Sequence, residues 1–168
     1  MSAKVHDDRY SAELDAQERI LFLVGMRINR LRSVRSWVPV FAAMPRMLRE
    51  LESQPELGML GARNYVSGRV IMALQYWRSV EDLHRYARAP ENLHLPAWKA
   101  FHRKAAGSGA VGIFHETYRI TAGSFETVYS GMPTFGLAAA TQHVPAERLG
   151  RSAARRLRRQ GADMPAVD

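Results

Sequence analysis

The chain contains no cysteine. That removes disulfides, thiolate metal sites and cysteine nucleophiles together, and it favours a reducing compartment. Long apolar runs are missing too. The strongest, Ile20 to Met26, is far shorter than the roughly 20 residues a membrane-spanning helix needs. The opening MSAKVHDDRYSAELDAQER mixes charges without an apolar centre, so it does not read as a secretory signal. There is no HExxH, P-loop or GxSxG, and the GxGxxG letters of GSGAVG at 107–112 lead into a strand-like run and not a helix, so they lack the dinucleotide-binding context. Zincin, nucleotide-dependent and serine-hydrolase chemistry therefore lack their usual supports. Gly107-Ser-Gly109 has no lysine after it and reads as a connector. No helix-turn-helix, zinc-finger or RRM pattern frames the basic residues. These absences lead us to expect a cytoplasmic protein with neither a membrane nor a nucleic acid as partner.

What is present suits one domain with a real core: 168 residues, 46% of them apolar. The net charge is +8, and it is spread out. From Val144 onward Arg148, Arg151, Arg155, Arg156, Arg158 and Arg159 oppose Glu147, Asp163 and Asp168, leaving the tail at +3. A charge-rich end of this kind reads as a solvated, partly disordered terminus, with a short basic helix from Pro145 as the alternative. The chain therefore divides into a polar N-terminal extension (1–19), a folded domain (20–143) and a basic arginine-rich tail (144–168).

Within the domain, ILFLVGMRI at 20–28 is continuously apolar and rich in branched residues, which suits a buried strand. Ser36 is placed to cap a helix. Trp37, Val40, Phe41, Met44, Leu48 and Leu51 then recur on one helical face. Pro39 falls in its first turn, where a missing N–H costs little. Pro45 lies deeper and is expected to kink or split the helix. Met59–Val66 and Arg69–Trp77 read as strands joined by a Ser67-Gly68 turn. Ser79-Val-Glu-Asp82 has capping-box form and opens a second helix. Another helical segment is expected over about 92–106. A strand follows over 111–120, then a turn at Thr121–Ser124 and a strand over 125–130 that Met132-Pro133 ends. The order β-α-β-β-α-β is that of the ferredoxin-like split βαβ fold: α+β, an antiparallel sheet with helices on one face. The other face is apolar, and a second copy of the chain would cover it. A homodimer is expected.

The candidate chemistry lies in a few places. Period-two alternation along 111–120 sends His115 to one face and Glu116 with Tyr118 to the other. His115 and Glu116 therefore cannot form a direct acid–base dyad within one chain. His115 is a general base, a cofactor ligand or a packed histidine. Glu116 becomes an acid or base if its face lines a cavity, where burial raises a carboxylate's pKa; otherwise it pairs with a cation. His94, Trp98 and His102 form one helical stripe. His94 and His102 lie roughly 12 Å apart along that axis, too far to share a metal. His84 and His6 stand alone. The eight methionines and the aromatic residues would line an apolar pocket, or fill a core equally well.

Four stretches carry a family resemblance: QYWRSVEDLHRYAR at 75–88, the spacing of His94, Trp98 and Phe101, GIFHETYRI at 112–120, and ETVYSGMPTFGLAAAT at 126–141. Together they resemble the DUF4188 family, a monooxygenase-like group related to a fungal polyketide-pathway monooxygenase. The resemblance covers roughly Ile20 to Pro145. It implies a dimeric α+β barrel. Proteins with that barrel include oxygenases that oxidise aromatic substrates without metal or flavin, haem proteins, haem-degrading enzymes and simple binders. The resemblance brings no agreed catalytic residues with it. The MPTFGL break is similar to the segment that supplies the axial histidine of aldoxime dehydratases, and Met132 stands at the corresponding position. The reading that follows is a monooxygenase-like enzyme that needs no cofactor and oxidises a small apolar molecule, aromatic or polyketide-like. His115 or His94 would be the base, with Glu116 a further candidate. Trp77, Trp98, Tyr118, Tyr129 and Met132 would contact the substrate. A haem-binding barrel and a non-enzymatic binding module are the alternatives.

Overall fold

In a computed structural model of the chain, residues 4–15, 18–89 and 108–162 are described. The chain forms two compact units, Ile20–Tyr118 and Met1–Arg19 with Arg119–Asp168.

The principal sheet has four strands: β3 (Glu18–Ile28), β4 (Met59–Ser67), β5 (Val70–Trp77) and β6 (Val111–Thr121). Their spatial order is β4-β5-β3-β6, with β5 antiparallel to both neighbours. Helix α1 (Val34–Ser53) connects β3 to β4, and α2 (Val80–Arg88) follows β5. This is the split βαβ arrangement expected from the element order. The register pairs Ile20 with Trp77, Phe22 with Gln75 and Val24 with Ala73. That face carries the core: Ile20, Ala73, Trp77 and Met59 pack with Leu48 and Leu51 of α1 and Leu83 and Tyr86 of α2. The opposite face presents Leu21 across from Tyr76 and Leu23 across from Leu74, all half-buried.

Local chemistry accounts for most element boundaries. Ser79 accepts a hydrogen bond from the Asp82 amide at 3.1 Å, the cap foreseen for α2. The β4–β5 hairpin turns through Gly68-Arg69, one residue later than expected. Gly68 takes φ +55°, a conformation glycine adopts without penalty. Helix α1 begins after Ser33, not Ser36, and runs without a break through Pro39 and Pro45. Both prolines are exposed, so the carbonyls they leave unpaired can meet water.

In the other unit, β1 (Val5–His6) pairs with β7 (Met132–Pro133), and β2 (Tyr10–Glu13) pairs with β8 (Gln142–Pro145), both antiparallel. Helices α3 (Leu137–Ala140), α4 (Ala146–Leu149) and α5 (Ala153–Ala162) complete it. Three expectations are corrected here. The segment 125–130 is not a strand; among the described residues its one ladder contact is a bridge between Tyr129 and Tyr10. Met132-Pro133 does not end pairing but forms β7. Of the two readings of the tail, the helical one and not the disordered one describes residues 146–149 and 153–162, and both this segment and the N-terminal stretch carry apolar groups that find partners. Tyr10, Ala12, Val144, Ala146 and Leu149 are all buried. The expected helix over 92–106, with His94, Trp98 and His102, lies outside the described residues.

Candidate active site

His115 projects from β6 on the helix-bearing face of the sheet. It is exposed, and its ring lies 5.8 Å from that of Phe22 on β3, tilted by 40°. Phe22 packs at the edge of the core. An imidazole with an apolar wall on one side and open access on the other can take a proton from a flat substrate laid against that wall.

Glu116 and Tyr118 point to the opposite face, as alternation requires. The Tyr118 hydroxyl donates to Glu116 Oε2 at 2.5 Å. This bond to a carboxylate, aided by the nearby negative charge, raises the Tyr118 pKa. Both residues are exposed. Among the described residues, Glu116 meets a tyrosine and not the expected cation. Phe114 shares this face, and Gly25 makes room for its ring: a Cβ on Gly25 would stand 2.7 Å from Phe114 Cζ.

Trp77 does not face a ligand. It is only 1% exposed. Its Nε1 donates to Gln75 Oε1 at 2.9 Å, and its ring lies 5.8 Å from Tyr86. The expectation that it contacts substrate is corrected to a core role, since β5 is central and its Trp77 side lies under both helices.

Tyr129 and Met132 belong to the second unit, where strand pairing brings them to residues more than a hundred positions away. Tyr129 stacks on Tyr10 with centroids 4.8 Å apart and an 18° interplanar angle. Backbone bonds of 3.0 and 2.8 Å tie the two residues. Met132 lies across from His6 in the β1–β7 ladder. His6 Nε2 is 3.0 Å from Thr134 Oγ1, and the Tyr10 hydroxyl donates to the Pro133 carbonyl. His143 packs edge-on against Tyr10 at 4.1 Å and against His6 at 4.5 Å. Burial, then the neighbouring His6, lowers the pKa of His143 and favours a neutral imidazole. Burial raises the pKa of Tyr129, opposed by the backbone amides of Ala138 and Leu137. Gly136 permits this approach: at φ +57°, a Cβ there would lie 2.8 Å from the Tyr129 hydroxyl. The Tyr10–His143 pair had no signal in local spacing, and His6 read as an isolated residue.

The comparisons with known proteins address the family. A family model described as Monooxygenase af470-like matches residues 19–137. The chain belongs to this family. The Monooxygenase af470-like region thus contains the four-stranded sheet apart from Glu18, together with His115, Glu116, Tyr129 and Met132. The monooxygenase af470 of Aspergillus fumigatus is 32% identical over 84 residues. That match takes in 47% of this chain but 29% of the fungal protein, so the chain spans less than a third of its relative. Among solved structures, an aldoxime dehydratase in complex with butyraldoxime matches 91% of this chain and 44% of its own, with 16% identity and a TM-score of 0.56. At that identity it shows the shared α+β fold. SnoaB, a cofactor-independent oxygenase from Streptomyces nogalater, matches 60% of this chain and 91% of its own, with 12% identity and a TM-score of 0.43.

Proposed function

We propose that this member of the Monooxygenase af470-like family oxidises a small, apolar, readily enolised molecule of aromatic or polyketide type, with the substrate and not a cofactor supplying the electrons. The supporting observation is that the family match over 19–137 contains an accessible histidine, His115, set beside the ring of Phe22. In this reading His115 removes a proton from an activated CH₂ group. The carbanion passes electrons to dioxygen, and collapse of the resulting peroxide gives a ketone and water: R₂CH₂ + O₂ → R₂C=O + H₂O. Both electron pairs come from the substrate, so the balance needs no external reductant. Phe22 keeps one side of the reacting carbon dry, which shields the carbanion from reprotonation by water. Glu116, already accepting from Tyr118, is not called on as the base. His94 is the second base candidate, with Trp98 as a substrate contact.

The haem alternative is the weaker fit to the described residues. Met132 has its backbone committed to the β1–β7 ladder, and His115 stands exposed on a strand with Phe22 beside it. Neither is set in an enclosed cradle that would hold a macrocycle. We therefore expect no sharp Soret band when haemin is titrated into the protein.

The test is oxygen consumption with quinol-like and polyketide-like probes. His115→Asn should lower kcat by about 10²- to 10⁴-fold, the usual worth of a positioned base, while far-UV circular dichroism stays unchanged. His94→Asn and His143→Asn serve as comparisons. Full turnover in both His115→Asn and His94→Asn overturns the assignment. Loss in His143→Asn alone moves the base to the histidine–tyrosine cluster.

A further inference from the structure

We infer that the corner between α4 and α5 is a binding site for a compact polyphosphate-bearing small molecule. The α4–Gly150–α5 corner borders a shallow, open depression of about 630 Å³ lined, among the described residues, by five arginines, Arg148, Arg151, Arg155, Arg158 and Arg159, and one acid, Glu147. Arg148 is already engaged by Glu13 at 3.2 Å. The guanidinium groups of the other four meet no carboxylate among the described residues. Arg155, Arg158 and Arg159 stand at i, i+3 and i+4, and so crowd one side of α5. Like charges held this closely repel one another, and a multivalent anion between them removes that repulsion.

The corner is held in place from beneath. Arg156, on the same helix, is 4% exposed. It donates through Nε to Glu126 Oε1 at 2.5 Å and through Nη1 to the Gly150 carbonyl at 3.1 Å. Gly150 sits at φ +128°, and a Cβ on it would stand 2.8 Å from the Arg155 Cβ. A glycine is what lets the chain turn this tightly against α5. One arginine is thus buried and paired, while Arg155, Arg158 and Arg159 on the same helix meet no carboxylate among the described residues. Planar guanidinium forks grip phosphate oxygens in pairs, which a lysine cluster would not do. The gathering of these guanidinium groups at one corner, instead of along an extended face, favours a di- or triphosphate group over an extended duplex or a lipid surface.

The experiment titrates orthophosphate, pyrophosphate and tripolyphosphate into the full chain by isothermal calorimetry, at about 0.1 M ionic strength, where exposed charges still act over roughly 10 Å. The expected result is one saturable site whose affinity rises with the number of phosphates. It should fall roughly tenfold or more in the triple variant Arg155→Gln, Arg158→Gln, Arg159→Gln. The charge-matched control Arg32→Gln, Arg35→Gln, Arg46→Gln should bind as the parent does. Equal loss in the two variants overturns the site in favour of net charge. So does the absence of saturation with any of the three anions. Tighter binding of a short DNA duplex or of anionic vesicles through the same arginines also overturns it, in favour of a macromolecular or membrane surface. If the triple variant is misfolded by circular dichroism, Arg158→Gln alone, compared with Arg46→Gln, gives the same decision.

Discussion

Asp82 is a carboxylate almost wholly withdrawn from water, 4% exposed, and held by two arginines. Arg78 Nε donates to Oδ2 at 2.6 Å and Arg85 Nη1 to Oδ1 at 2.8 Å. The bond from Arg78 is the largest influence holding the Asp82 pKa below its ordinary value, although burial opposes it. A depressed carboxylate stabilises the fold above its unfolded pKa of about 3.9, and that contribution is lost as pH falls through the lower folded value. Urea midpoints measured from neutral pH into acid should therefore fall more steeply in the parent than in Asp82→Asn. Equal acid sensitivity in the two proteins removes the carboxylate from the account. Gly58 belongs to the same arrangement, since at φ +94° it leaves room where a Cβ would meet Asp82 Oδ2 at 2.5 Å. The cap at Ser79 was legible because serine and an acid three residues on form a local pattern. The clamp on Asp82 was not, because nothing in the spacing of Arg78 and Arg85 says that the acid between them is buried. His115 and Glu116 were legible as opposite-facing for the same local reason, period-two geometry.

Among the elements, the stretch 125–130 shows what sequence pattern leaves open. Its residues have strand propensity, but apart from the Tyr129 bridge to Tyr10 the bonds around Thr127 run through side chains instead of a ladder. Thr127 Oγ1 accepts from the Ala12 amide at 2.8 Å, and Ser11 Oγ donates to the Thr127 carbonyl at 2.7 Å. Ser11 is fully buried, so these bonds have no ready replacement from solvent. Thr127→Val keeps the shape and removes the acceptor, and it should cost about 1–3 kcal/mol in chemical denaturation. A loss within experimental error of zero would show that water takes over the Ala12 amide. Strands β2 and β8 escaped notice because each is four residues long and each needs a partner some 130 positions away. Arginines masked the buried Val144, Ala146 and Leu149 in what read as a loose tail. Continuity of α1 through Pro45 depends on exposure, which only packing decides.

For the whole molecule, the order of strands and helices carried the fold, because β-α-β-β-α-β with a tight hairpin between its central strands leaves few ways to close an antiparallel sheet. The histidine–tyrosine cluster was not legible at this level, since His6, Tyr10, Tyr129 and His143 are joined only by two short ladders. The sheet's second face bears on assembly. Leu21, Leu23, Met72, Leu74, Tyr76 and Phe114 share it and are half-buried, so much of their apolar surface remains open to water. Covering that surface against another copy would return roughly 25 cal/mol for each Å² removed from water, and a sheet face is large enough to approach the roughly 800 Å² per partner of a stable interface. We therefore expect a homodimer. Light scattering behind size exclusion should give twice the 19.0 kDa chain mass. Leu74→Lys, at the middle of the face and off the helix-bearing core, should give the single-chain mass with secondary structure retained, because a lysine there would bury its charge in the interface without a partner. A parent protein that elutes at the single-chain mass across a wide concentration range would mean that the face is left to solvent or to a different partner, and the barrel would not close on itself.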